Sequence, residues 1–342
     1  MEKSLLGILL TDTHLKENNL EINISIFRQA AEYALKNNLN RIYHLGDVFD
    51  SRKAQSLVVL RDGFLTILDM LKQMGVELYV IPGNHDKTSY QSEASFLDPF
   101  REHSALILTT GVGKVETLEI DLYFIPFFSD DIYKEKLETI KTLKTKRNIL
   151  LTHIGITGAV MNNGSAIDGV DQNLFDKFDQ VFVGHYHDKQ IFKDKFNYIG
   201  SSIQHNFGEG PEKGLTLLFD DLSFETHELE FPRYHKIEVY AKDLTLHDIE
   251  EIRKENESNH DNLRIVLIGD ESEIKSFNKQ ALIQTGVSVT VKQETVDRKE
   301  VDERIEPFTS SGLLEEFDHF CKKNELNHDQ GKKYLYKVLK IA

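Results

Sequence analysis

Three apolar runs, each closed by a short polar string, constrain the fold more than any other feature of the chain. Leu5 to Leu10 runs into Thr11-Asp12-Thr13-His14, Arg41 to Leu45 into Gly46-Asp47, and Val76 to Ile81 into Pro82-Gly83-Asn84-His85-Asp86. The first run is apolar on both faces, as in a strand covered from both sides. Between the runs, Ile24 to Lys36 and Val58 to Gln73 are amphipathic at helical spacing. Strand, crossover helix, strand makes a parallel pair. All three polar strings therefore fall at one sheet edge, the carboxyl edge where open α/β sheets bind their ligands. Carboxylates, an amide and imidazoles meet there.

Asp12 and His14 are two apart, so on an extended backbone they share a face. In the third string Pro82 and Gly83 end the strand and force a turn that presents Asn84, His85 and Asp86. His44 reads as a packed core histidine. Asp50 is either a support for the site or a loop acid, and Arg52 and Lys53 are either phosphate contacts or a solvated pair.

Farther on, Ala105 to Leu108, Lys114 to Leu118 and Leu122 to Pro126 read as shorter strands of a second sheet, and Asp130 to Lys144 as a charged helix. Two more strands deliver histidines: Asn148 to Thr152 ends at His153, and Val181 to Gly184 at His185-Tyr186-His187. The stretch between them, Thr157 to Asp171, is rich in Gly and Asn and reads as a mobile loop near the site. The expected fold class is α/β: a two-sheet β-sandwich flanked by helices.

The pattern changes near Arg233, and residues 1–232 are expected to form the main domain. Residues 233–293 alternate as β-α-β-α-β, a small α+β cap domain. Residues 294–308 are dense in charge without apolar periodicity, hence a linker. Residues 309–342 read as two amphipathic helices with no core of their own, packed back on the body or docked on a partner.

The single cysteine, Cys321, excludes an internal disulfide framework and a thiolate zinc site. No apolar run reaches the roughly 18 residues of a membrane span, and no secretory signal precedes the first strand. A cytoplasmic protein with no membrane partner is expected. The formal net charge of −15 counts against bulk electrostatic binding of nucleic acid, though bound cations or a basic partner subunit would offset it.

Collected, Asp12, His14, Asp47, Asn84, His85, His153, His185 and His187 supply oxygen and nitrogen ligands for two metal ions and no thiolate. Manganese, iron or zinc suit that set, and a pair of such ions is the usual device for in-line attack at phosphorus. Asp-x-His, Gly-Asp-x-x-Asp, Gly-Asn-His-Asp, a lone His after a strand and Gly-His-x-His, in that order, resemble the calcineurin-like metallophosphoesterase superfamily over residues 8–187. Within it the chain is most similar to the nuclease subunit of the double-strand-break processing complex, the SbcD-like proteins and the recombination endonuclease subunit of T-even-like phages. The Gly46 to Arg52 string, the Ser201 to Gly214 segment, the cap and the terminal helices carry that likeness.

The resemblance implies the metallophosphoesterase fold and two divalent metal ions, manganese first and magnesium as the alternative. It implies that Asp12, His14, Asp47 and His187 hold one ion and that Asp47, Asn84, His153 and His185 hold the other. His85 is then the general acid for the leaving oxygen, and Asp86 orients it or its loop. The implied activity is double-strand exonuclease and single-strand endonuclease cleavage of DNA in repair and recombination. The implied partners are DNA, an SMC-like coiled-coil ABC ATPase (SbcC-like) docked on residues 309–342, and a second copy joined through the nuclease domain. The alternative is a phosphoesterase acting on small molecules or phosphoproteins with the same site.

Overall fold

A computed structural model describes residues 3–293, apart from 161–164, 246, 249, 252–253, 255–260, 278 and 284–286. The expected linker (294–308), the terminal helices (309–342), Cys321 and most of the helix expected over Leu246 to His260 lie outside the described residues.

The first sheet grows from the repeat seen in the sequence. β1 (Leu5–Leu10), α1 (Leu20–Lys36), β2 (Arg41–His44), α2 (Thr66–Met74) and β3 (Glu77–Val80) follow in order, and the three strands pair in parallel. β4 (Leu106–Leu108) adds a further parallel strand on β3. The expectation of a place in the second sheet fails here, because its backbone continues the ladder along Leu78, Tyr79 and Val80.

The second sheet is built from β5 (Gly113–Glu116), β6 (Ile120–Ile125), β7 (Arg147–His153), β8 (Gln180–Gly184), β9 (Gln190–Phe192) and β10 (Phe196–Tyr198), with α3 (Asp130–Thr139) between β6 and β7. Its spatial order is β5-β6-β7-β8-β10-β9. The chain then returns to the first sheet, where β11 (Leu215–Phe219) pairs antiparallel with β1 and β12 (Phe224–His227) closes that edge.

Alternation along the strands sets the layers. Ile8 and Leu10 point into a core with Ile26, Phe27 and Ala30 of α1 and Ile67, Leu68 and Leu71 of α2. Leu9, between them, faces the other way and meets Leu122, Leu151 and Phe182 of the second sheet. The opposite face of the second sheet packs Leu150, Val181 and Val183 against Tyr133 and Leu137 of α3. The result is the mixed α/β sandwich of two sheets flanked by helices expected from sequence. Each fully buried large apolar side chain in these layers is worth roughly 1.5–3 kcal/mol of transfer free energy.

The helix expected from Val58 runs as a π-helical stretch, Val59–Leu65, into α2. Of the loop expected over Thr157 to Asp171, residues 161–164 lie outside the described residues, and Ala159, Ile167 and Val170 are buried in the α3-side core. A third, all-parallel sheet follows: β13 (Tyr234–Tyr240), β14 (Asn262–Gly269) and β15 (Ser288–Gln293), with β14 central. Ile265, Leu267 and Val287 form its core. Among the described residues no helix is long and apolar enough to cross a membrane.

Candidate metal centre

β1, β2, β3, β7 and β8 end side by side, and the polar residues just beyond them converge. The convergence of the first string does not come from an extended strand. Asp12 (φ 51°) and His14 (φ 44°) are left-handed, as are Asp47 (φ 56°) and His185 (φ 90°). Such residues are uncommon outside glycine and cluster at sites where strain is held by the surroundings. Gly83 also works differently from expectation. Its φ is ordinary, but a Cβ there would lie 2.2 Å from Asp47 Oδ1 and 2.3 Å from the Asp47 nitrogen. It is a glycine so that the third string can press against Asp47.

Each carboxylate uses one oxygen to fix itself and turns the other toward the site. Asp12 Oδ2 accepts from Thr11 Oγ1 (2.7 Å) and the His185 amide (3.0 Å). Its Oδ1 is fully buried without a hydrogen-bond partner, 3.8 Å from both His14 Nε2 and His187 Nε2. Asp47 Oδ1 accepts from the His85 amide (2.7 Å). Asp47 Oδ2 lies 3.8 Å from His14 Nε2 and 3.4 Å from His153 Nε2, facing both halves of the cluster.

The imidazoles are oriented from behind. His153 Nδ1 donates to the Leu45 carbonyl (2.7 Å), so in the neutral ring Nε2 is a lone pair. That lone pair points at Asn84 Oδ1 (3.1 Å) and Asp47 Oδ2, and His185 Nδ1 sits 2.8 Å from the same Asn84 oxygen. His187 Nδ1 donates to Glu209 Oε1 (2.9 Å), which leaves its Nε2 as a lone pair 3.1 Å from His14 Nε2. Electron pairs that face one another need a proton or a cation between them. Divalent ions bind such atoms at about 2.0–2.2 Å, so neighbouring ligands on one ion stand about 3–3.5 Å apart. The spacings here, 2.8–3.8 Å, bracket that range, and the two sets share Asp47 Oδ2.

The acid–base behaviour tells the same story. Burial opposes charge on Asp12, yet His14, His153 and His187 outweigh it and hold its carboxyl well below the usual range. Asp47 is depressed likewise, burial being overcome first by His153. Burial also disfavours a charged His153, but the carboxylates of Asp47 and Asp12 push that ring up to about 9. The pocket attracts positive charge. His44, by contrast, is driven down to about 3 by burial and stacks on Phe27: it is a neutral core residue.

His85 stands at the rim. Its Nδ1 donates to the Asp50 carbonyl, and its Nε2 accepts from Arg52 Nη2 (2.7 Å). Asp86 makes its hydrogen bonds elsewhere. Its buried carboxylate accepts from the amides of Val48 (3.2 Å), Phe49 (2.9 Å) and Gly83 (2.8 Å), and so ties the second string to the third. Burial, helped by the nearby charge of Asp47, raises it to about 6. Asp86 is a positioning residue for the loop. The Asp50 carboxylate lies 3.7 Å from His14 Nδ1 and 3.5 Å from Lys16.

Sequence reasoning missed two contributors, Glu209 and His205, and the partner of a third, Arg52, which it offered only as a phosphate contact or a solvated residue. Glu209 backs His187, and burial notwithstanding, its carboxyl is held down to about 2 by His187 and Lys213. His205 Nε2 donates to the Asp12 carbonyl (2.7 Å) and its ring meets that of His14 edge-on at 4.9 Å. Arg52 engages His85 directly. The signal for the first two was present as the Ser201 to Gly214 segment, although no strand end announces them.

Residues 8–189 match the protein family described as calcineurin-like phosphoesterase. Among individual proteins, 244L of Invertebrate iridescent virus 6, described as a phosphoesterase, is 24% identical over 81% of this chain and 98% of its own. A subunit of the SbcCD nuclease of Staphylococcus saprophyticus is 26% identical over 48% of this chain and 50% of its own. The DNA double-strand break repair protein Mre11 of Sulfurisphaera tokodaii is 28% identical over 54% of this chain and 49% of its own. The chain thus spans about half the length of these two nuclease relatives.

Proposed function

The chain belongs to the calcineurin-like phosphoesterase family, and from that premise we propose that it is a two-metal phosphodiesterase that cleaves DNA. The observation that carries the two-metal reading is Asp47 Oδ2, which faces His14 Nε2 on one side and His153 Nε2 on the other. In this reading Asp12, His14, Asp47 and His187 hold one ion and Asp47, Asn84, His153 and His185 the other. Two cations bound there, manganese in the first instance, would lower the pKa of a water and offset charge building at phosphorus. The residues of the chain do the rest. Asp86 and Gly83 hold the third string against Asp47, Glu209 and Leu45 fix the tautomers of His187 and His153, and His85, whose Nε2 accepts from Arg52 in this structure, would take up a proton there and pass it to the leaving oxygen.

DNA is the substrate favoured by the names of the nuclease relatives, which also support a role in break repair. Residues 1–232 then form the nuclease domain, paired with a second copy, and residues 233–293 a cap over DNA access. Residues 294–308 link to residues 309–342, which dock an SMC-like ABC ATPase. Purified full-length protein with manganese is expected to release nucleotides from duplex ends and to nick single strands. Turnover of phosphomonoesters with DNA left intact would refute the nuclease reading in favour of a small-molecule phosphoesterase.

A further inference from the structure

Where β13 leaves the main body, two cavities flank one tyrosine. One, of about 560 Å³, is floored by Gln204 and Glu209 and walled by Phe207, Tyr234, Ile237 and Leu263. The other, of about 400 Å³, also borders Tyr234 and Gln204 and reaches His205 and Lys16. Each shares a lining residue with the candidate metal centre: Glu209 holds His187, and His205 holds the Asp12 backbone. Tyr234 and Phe207 meet at a right angle (centroids 5.0 Å apart, planes at 89°), which makes an aromatic corner. The guanidinium of Arg264 lies 4.0 Å over the Phe207 ring and braces it from outside the cavity, while the lining itself carries Lys236 and Asp261 beside the aromatic rings. The corner is held in place, since Gln204 Oε1 accepts from the Tyr234 amide (3.0 Å). Nor does Glu209 make the floor repel an anion, because Lys213 Nζ lies 3.2 Å from its second oxygen.

An aromatic corner with a lysine in the same lining, sharing Glu209 with the proposed phosphodiester site, suits a flat ring attached to a phosphate. We propose that this cleft receives an unpaired nucleobase of the strand being cut, stacked against the Tyr234–Phe207 corner while its neighbouring phosphodiester lies at Asp47. The inference rests on the nuclease reading above. Stacking of this kind tolerates any base, so the cleft selects for an unpaired strand rather than for sequence.

The test compares two substrates in manganese with the full chain: a single-stranded oligodeoxynucleotide and bis(p-nitrophenyl) phosphate, a diester without a base. Tyr234→Leu and Phe207→Leu are each expected to lower the ratio of oligonucleotide to chromogenic turnover about tenfold through KM, the scale of one base–aromatic stack. Tyr234→Phe should rescue the ratio. Tyr240→Leu, on the same strand and outside the cleft, should leave it at the wild-type value. Binding is read separately from the quenching of 2-aminopurine in an oligonucleotide mixed with protein stripped of metal; Tyr234→Leu should abolish the quench. Wild-type ratio and wild-type quench in both leucine variants would overturn the proposal. Chromogenic turnover without any DNA cleavage would instead overturn the nuclease reading, and the quench would then decide the cleft alone.

Discussion

Replacing Gly83 by alanine adds one methyl group at the point where two strand ends touch. That Cβ would lie 2.2 Å from Asp47 Oδ1, 2.3 Å from its amide nitrogen and 2.8 Å from its Cγ. Ordinary contact begins near 3.4 Å, so the aspartate or the string must retreat by roughly 1 Å. Ligand distances at a metal site tolerate about 0.2 Å, so the shared ligand of both proposed ions is displaced several times beyond what coordination allows. Overpacking of this kind costs about 1–3 kcal/mol of stability. The diagnostic effect is on metal. Manganese at a hundred times its Kd should stabilise the wild type by about 2.7 kcal/mol, seen as a raised melting temperature, and Gly83→Ala should lose that increment. Gly75→Ala is the control. Gly75 has φ +72° with nothing within 4 Å of its added Cβ, so it should cost about 1 kcal/mol through backbone strain alone and keep the full manganese increment. Titration calorimetry that finds two manganese ions bound to Gly83→Ala with wild-type affinity would refute the reasoning.

Other perturbations separate the parts of the site. Glu209→Gln removes the carboxylate that accepts the hydrogen bond from His187 Nδ1, and manganese affinity should fall roughly 10–100-fold, as for other partners of metal-binding histidines; unchanged calorimetric affinity would exclude the role. The same variant has a pH signature in metal-free protein. With its folded pKa depressed to about 2, Glu209 contributes stability that is complete above about 4.5 and lost as pH falls toward 2, so acid melting profiles of Glu209→Gln should be flatter over that window. His85→Ala should retain both ions by calorimetry while kcat falls about 10²–10⁴-fold; loss of metal along with activity would place His85 among the ligands instead. Phe182→Ala, between the two sheets, should cost about 3–5 kcal/mol in denaturant melts with manganese binding intact.

The strand ends were legible because a parallel repeat fixes where its loops go. Asp12, Asp47 and Asn84 could be brought to one edge from spacing, since a β-α-β unit returns its polar string to the same edge; His153 and His185, at strand ends of the other sheet, were tied to them by the order of the motifs and the family resemblance. What spacing could not convey was how the backbone makes the residues face one another. Left-handed turns at Asp12, His14, Asp47 and His185 leave only a faint mark in residue type: aspartate and histidine are enriched at positive φ, but a residue with φ > 0 is uncommon whatever its type. Nor could local pattern reveal Glu209 and His205, which come from a loop far along the chain and act only through tertiary contact. The sheet that receives β4 is hidden for a similar reason: three apolar residues carry no record of which sheet has an open edge.

These features share one physical logic. Holding four non-glycine residues at positive φ costs of order 1–3 kcal/mol each, and it brings ring nitrogens and Oδ atoms of neutral or anionic groups within 2.8–3.8 Å of one another. Neither is favourable in a chain left to itself. The surrounding structure enforces both, through Thr11 on Asp12, the His85 amide on Asp47, Leu45 on His153 and the glycine contact at Gly83. Without metal the cluster relieves the conflict by taking protons, which is why His153 is pushed up to about 9 despite complete burial. Cations placed between the same atoms would relieve it more fully and release those protons. Metal binding at this edge should therefore raise the melting temperature and liberate protons together, both effects vanishing in Asp47→Asn, whose amide cannot offer a charged oxygen to either side.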